Sequence, residues 1–161
     1  MTSAQAIAQW RQTAPPWALL LGSAAALDDA GRQLAAAGVR RADLGDLLLA
    51  ALPEVEALAR RQAAEPACPE VRAALSAAFA AVAEGLAGEG ELAIGDLELA
   101  LAERLPVEEL RAAAPRVLFL APGGRRQGRL RLYLADGLPG VPPPLWMDNA
   151  EHVWEVRHDA A

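Results

Sequence analysis

Up to Pro115 the apolar residues of this chain recur mostly at helical spacing; beyond it the period shortens to two. Ser3 caps a first helix with Ile7 and Trp10 on one side, and Thr13-Ala-Pro-Pro16 ends it, because a proline ring clashes with a continuing helix. The pattern predicts a second helix from Pro16 or Trp17 to about Asp28, and a third closed by Gly38, a residue suited to the position just past a helix end. Asp43 begins the apolar run Leu44 to Leu52, and Pro53 opens a further helix through Val55, Leu58 and Arg60-Arg61. The two prolines of Glu65-Pro-Ala-Cys-Pro69 mark the clearest boundary. After it, Glu70 to Gly85 carries Val71, Leu75, Phe79 and Val82 on one helical face.

Gly85 to Gly90 is a break, Leu92-Ala-Ile94 suits a short strand, and Asp96 caps a helix that aligns Leu97, Leu101 and Leu105. Pro106 opens another short helix that Pro115 terminates. Val117 to Ala121 and Arg129 to Ala135 then flank the glycine-rich Pro122-Gly-Gly-Arg-Arg-Gln-Gly128. Strict alternation in the second run puts Leu130, Leu132 and Leu134 on one face and Arg129, Arg131 and Tyr133 on the other, the pattern of a half-buried hairpin. Asp136 to Leu145 is proline-rich and extended, and His152 to His158 forms a third strand, with a final helix as the alternative.

The expected fold is therefore α+β and mostly α: an N-terminal helical region over 1–65, a half with a small antiparallel sheet over 70–135, and a proline-rich connection with a terminal strand over 136–161, packed on the rest. Composition agrees with high helix content. Of 161 residues, 39 are alanine and 26 leucine, and all 15 basic residues are arginine. With 53% hydrophobic and 22% charged residues, intrinsic disorder is excluded. The single cysteine, Cys68, cannot form an internal disulfide. Trp17 to Leu27 has the look of a signal-peptide core, but only Arg11 precedes it as a positive charge, prolines abut it, and it is too short to span a bilayer. It is read as a buried helix of a cytoplasmic protein with no membrane association.

Charge changes the picture more than composition does. The net charge is −6, yet residues 73–109 hold eight acids against Arg104 alone, while residues 110–135 hold six arginines and no acid. From Glu70 to Ala135 the order is helix, short strand, helix, turn, short helix, strand, basic loop, strand. With Glu91-Leu-Ala-Ile94, Asp96 to Leu105, Pro106 to Arg111 and Val117 to Ala135 as its parts, this order resembles the winged helix-turn-helix family, and more loosely the LOTUS or OST-HTH domains. The resemblance implies that the hairpin is a wing that touches nucleic acid.

On the residues themselves, Arg125 and Arg126 at the tip and Arg129 and Arg131 on the exposed face would set four guanidinium groups along one ridge, each able to grip a phosphate, with Tyr133 placed to stack on a base. Arg111 and Arg116 are supporting candidates. The short helix after Pro106 begins with Glu108-Glu109, which phosphate repels, so base reading in a major groove is not expected. The same arginines could instead be a solvated edge, or pair with the acids of residues 84–109.

Other constellations carry less. Glu151, Glu155 and either His158 or Asp159 would align for a metal only on a helix, and His152 and His158 lie about 20 Å apart on a strand; a solvated tail without metal is expected. Cys68 has no histidine motif beside it, and no lysine exists for a P-loop. The tryptophans near both chain ends, Trp10, Trp17, Trp146 and Trp154, suggest that the termini pack together. The expected function is non-enzymatic, cofactor-free binding of nucleic acid; the alternative is a protein-interaction module of adaptor, chaperone or immunity type, and a homodimer is possible.

Overall fold

A computed structural model describes residues 1–134, 140–148 and 151–158. Helix α1 (Ser3–Thr13) is capped not by Ser3 but by Thr2, whose hydroxyl and backbone exchange hydrogen bonds with Gln5 in a capping box. Ser3 is buried within the first turn. Pro15-Pro16 then release the chain into an extended path, and Trp17–Gly22 forms strand β1. Ser23 caps the next helix, α2 (Ala24–Ala36), and Gly38 (φ 81°) follows it.

The expected helix from Trp17 to Asp28 is thus a strand followed by a helix start. The run Ala18-Leu-Leu-Leu21 has no alternation because both faces of β1 are buried, as in the interior of a parallel sheet. Leu19 and Leu21 enter one apolar cluster with Phe119, while Ala18 and Leu20 enter another with Trp10 and Leu34.

Strand β2 (Arg40–Asp43) leads into α3 (Leu44–Ala51), α4 (Val55–Ala64) and α5 (Pro69–Leu86). The α5 face is as its spacing predicts, with Val71, Phe79 and Val82 buried. Strand β3 (Glu91–Gly95), helix α6 (Leu97–Ala102) and a 3-10 turn over Val107–Ala112 bring the chain to the long strand β4 (Arg116–Arg126). Then come β5 (Arg129–Tyr133), the two-residue β6 (Gly140–Val141), the single turn α7 (Leu145–Asp148) and β7 (Val153–Glu155).

These strands overturn the α+β expectation. The sheet has seven strands, and the path β2-β3-β4-β1-β7 is parallel throughout; only the outer half of β4 with β5, and β5 with β6, pair antiparallel. The fold is α/β. β1, from the expected N-terminal helical region, lies between β4 and β7 in this sheet. The period-two signal is clear in β5 because one face of that strand is buried and the other exposed.

Right-handed crossovers explain the layering. The connection from β1 to β2 runs one way along the sheet, and those from β2 to β3 and β3 to β4 run back. Helices from the two directions must then cover opposite faces. The apolar cluster containing Ile7, Trp10, Leu27 and Leu34 draws on α1 and α2, and the one containing Leu48, Phe79, Leu97 and Leu110 draws on α3, α5 and α6. The expected meeting of the chain ends also occurs. Trp17 and Trp146 meet edge to face at 5.0 Å, with Phe119 beside them, and β7 pairs with β1.

Phe119 is fully buried on the central strand. Phe119→Ala is expected to destabilise the fold by about 3–5 kcal/mol, measured as a lower urea midpoint with an unchanged slope.

Candidate functional site

Two features stand at the carboxyl ends of the parallel strands: a basic hairpin and an acidic cleft at its foot. The hairpin arises because β4 outruns its neighbours. Its first part, Val117 to Pro122, pairs with β1; its last part, Gly123 to Arg126, pairs only with β5. The turn is Gln127 (φ 52°) and Gly128 (φ 75°), a left-handed pair that matches the twist of the flanking strands. Gly123 packs directly against the Arg131 carbonyl, where no side chain fits.

Along β5 burial alternates as the sequence predicts. Leu130 and Leu132 are buried, and Arg129, Arg131 and Tyr133 are exposed. Arg125 and Arg126 are exposed at the tip, and Arg125 Nη1 donates to the Gly128 carbonyl at 3.4 Å. None of these four arginines is in an ion pair among the described residues. Two of the acids that might have neutralised them are engaged elsewhere: Glu91 holds Arg11 at 2.9 Å and Arg116 at 3.7 Å, and Glu103 holds Arg72 at 3.6 Å. Gly140-Val141 of the proline-rich stretch continues the hairpin edgewise by pairing with β5, while the Leu130 N–H donates to Asp148 at 3.2 Å.

The seven candidate residues do not form one surface. Arg125, Arg126, Arg129, Arg131 and Tyr133 share the hairpin. Arg116 begins β4 at the opposite end, about 30 Å of strand away. Arg111 lies over the Trp146 and Trp17 rings at 4.6 and 5.8 Å, a cation–π arrangement that secures the aromatic cluster.

The cleft was not anticipated. The loops after β1 and β3 leave toward opposite faces of the sheet, and a cavity of about 800 Å³ opens between them, the general location of ligand sites in open α/β sheets. Gly22, Ser23 and Ala24 form one side; Asp43, Asp96, Glu98 and Leu99 form the other; Pro122, Gly123 and Tyr133 of the hairpin base complete the rim. Asp96 stands in the left-handed region (φ 60°), at a cost of about 1 kcal/mol for a residue with a Cβ. Instead of capping α6, its Oδ2 accepts the Gly45 N–H at 3.1 Å. Gly95 beside it leaves room for Asp43, whose Oδ1 would lie 2.8 Å from a Cβ there. Arg41 pairs with Asp43 at 3.6 Å.

Burial is the largest influence raising the Asp96 carboxyl above its ordinary range. The Gly45 N–H opposes it, Asp43 and Asp46 add to it, and Arg41 lowers it. Glu98 is only 7% exposed, and burial, opposed by its own backbone N–H and reinforced by Asp96, pushes its carboxyl up to about 7. Its Oε2 is closed off from water and meets no donor among the described residues. Two acids just after a buried strand, in Ile94-Gly-Asp96-Leu-Glu98, were the available sequence signal; the capping reading of Asp96 hid it.

The remaining candidates do not converge. Among the described residues no three carboxylate, imidazole or thiol groups come close enough to hold a metal ion. His152 packs near Trp154, ring centres 6.0 Å apart, and Asp159 lies outside the described residues. Cys68 is buried at the start of α5. No helix among the described residues is long and apolar enough to cross a membrane. Comparison with known proteins found no matching family model, no matching curated protein and no matching solved structure.

Glu98 ties stability to pH with a definite sign. Its carboxyl titrates near 4.5 in the unfolded chain and near 7 in the fold, so the folded state retains a proton that the unfolded state loses between those values. Stability contributed by this group therefore falls as pH rises through that window. Glu98→Gln is expected to raise stability by about 2 kcal/mol at about pH 8 and to change it little near pH 4, measured by urea denaturation at both values.

Proposed function

We propose that this chain is a non-enzymatic nucleic-acid-binding protein that grips the phosphate backbone with the hairpin arginines Arg125, Arg126, Arg129 and Arg131. The observation that carries the reading is their freedom: four guanidinium groups are exposed on one projecting element without an ion pair among the described residues. Each guanidinium matches a phosphate bidentately, and Tyr133, partly exposed at the foot of the same strand, offers a ring face for an unpaired base. Arg111 and Arg116 take no part, because one lies on tryptophan rings and the other is held by Glu91.

Such a surface neutralises three or four phosphates and reads no base edges, so binding is weak, salt-sensitive and nearly indifferent to sequence. The acidity of the rest of the chain, which carries a net charge of −6, restricts contact to the hairpin.

A labelled mixed-sequence single strand titrated at about 50 mM salt tests this by fluorescence anisotropy. The expected result is saturable binding that weakens about tenfold or more in an Arg125→Ala/Arg126→Ala variant, with a log–log salt slope shallower by about one to two. Absence of binding, or equal binding by the variant, overturns it. Co-purification of a defined acidic protein that the same variant loses would replace nucleic acid with a protein partner.

A further inference from the structure

We propose that the cleft at the carboxyl ends of β1 and β3 is a binding site for a compact zwitterion: an amino or guanidino group held by Asp96 and Glu98 at one end, and a carboxylate held by the first turn of α2 at the other. The inference is independent of the nucleic-acid reading.

The cationic pole rests on charge and on an unmet bond. Four carboxyl groups line the cleft, those of Asp28, Asp43, Asp96 and Glu98, against the single guanidinium of Arg41. Arg41 is committed to Asp43, at 3.6 Å, and its guanidinium packs against Gly31 of α2. Among the described residues no other cation lines the cleft to match the remaining carboxyls, and Asp46 adds a further negative charge near Asp96. Glu98 is more than nine-tenths buried on the cleft wall with an oxygen that meets no donor among the described residues. A buried acceptor without a donor is costly, and an N–H donor from a ligand would satisfy it once the carboxyl turns from the wall into the cleft. A guanidinium or ammonium supplies both the charge and the donors.

The anionic pole rests on α2. Its first turn contains no acidic residue, Ser23, Ala24 and Ala25 are exposed, and the Ser23 hydroxyl accepts the Ala26 N–H. The amides of Ala24 and Ala25 have no acceptor within the helix, and the helix dipole favours an anion there. A singly charged carboxylate suits this pole better than a phosphate dianion, which would face the four carboxyls with no free cation. The two poles are set by β1 and β3, which have β4 between them, so they stand two strand spacings apart, roughly 10 Å. A ligand of arginine's length bridges that distance. The cleft volume is ample for it.

Isothermal titration of the full chain with three probes tests both poles. L-arginine has both charges, agmatine lacks the carboxylate, and L-citrulline keeps the shape without the cation. L-arginine is expected to bind saturably, with agmatine and L-citrulline each about tenfold weaker or more. Glu98→Gln and Asp96→Asn are expected to lower arginine affinity about tenfold, and the hairpin variant Arg125→Ala/Arg126→Ala to leave it unchanged. Leu99→Trp provides a check free of charge removal: Leu99 lines the cleft and is 42% exposed, so a larger ring there is expected to extend into the cavity and block entry, with folding checked by circular dichroism. No saturation by about 10 mM, equal affinity for arginine and citrulline, or full affinity in Leu99→Trp overturns the proposal.

Discussion

The pairing of β1 with β4 organises this molecule. Six consecutive register pairs, from Trp17 with Val117 to Gly22 with Pro122, join residues a hundred positions apart. Side chains alternate along a strand, so this one register decides which leucines face which layer. Leu19, Leu21 and Phe119 go to one side, and Ala18, Leu20 and Leu118 to the other. A shift by one residue would exchange the two sets, and neither helical layer would fit. The same register brings the ends of both strands level, which places the loop after β1 beside the base of the hairpin.

That alignment sorts charge in space as well as along the chain. The acids after β3 end up at the inner wall of the cleft, and the arginines after β4 are carried outward on the hairpin. Part of this separation rests on backbone. Gly95 leaves room for Asp43, Gly45 donates to Asp96, and Gly123 lets the hairpin strands close on one another. The basic and acidic surfaces therefore face different environments, solvent for one and a semi-enclosed cavity for the other. They suit different partners.

Local signals in the sequence were reliable where one side of an element meets water. The α5 stripe and the alternation of β5 follow from such half-exposure. Central strands lack it. Ala18-Leu-Leu-Leu21 is apolar on both faces and passes for a helix, while Arg40-Arg-Ala-Asp43 is a strand only because it pairs with β3, with Ala42 its one buried residue. The order of elements over residues 70–135 was legible, but not that Leu92 and Val117 sit side by side in parallel. The hairpin arginines were legible because four lie within seven residues. The cleft was not, because Asp43, Gly45 and Asp96 come together only through the sheet.

β4 is one uninterrupted strand of eleven residues, its first half clamped between two neighbours and its second half projecting. Pro122, with its fixed φ, stands at the junction between the two halves, and Gly123-Gly124 follow it. The hairpin is thus a cantilever rooted in the centre of the molecule. Pro122, Gly123 and Tyr133 at its base also line the cleft, so hairpin and cavity share a wall.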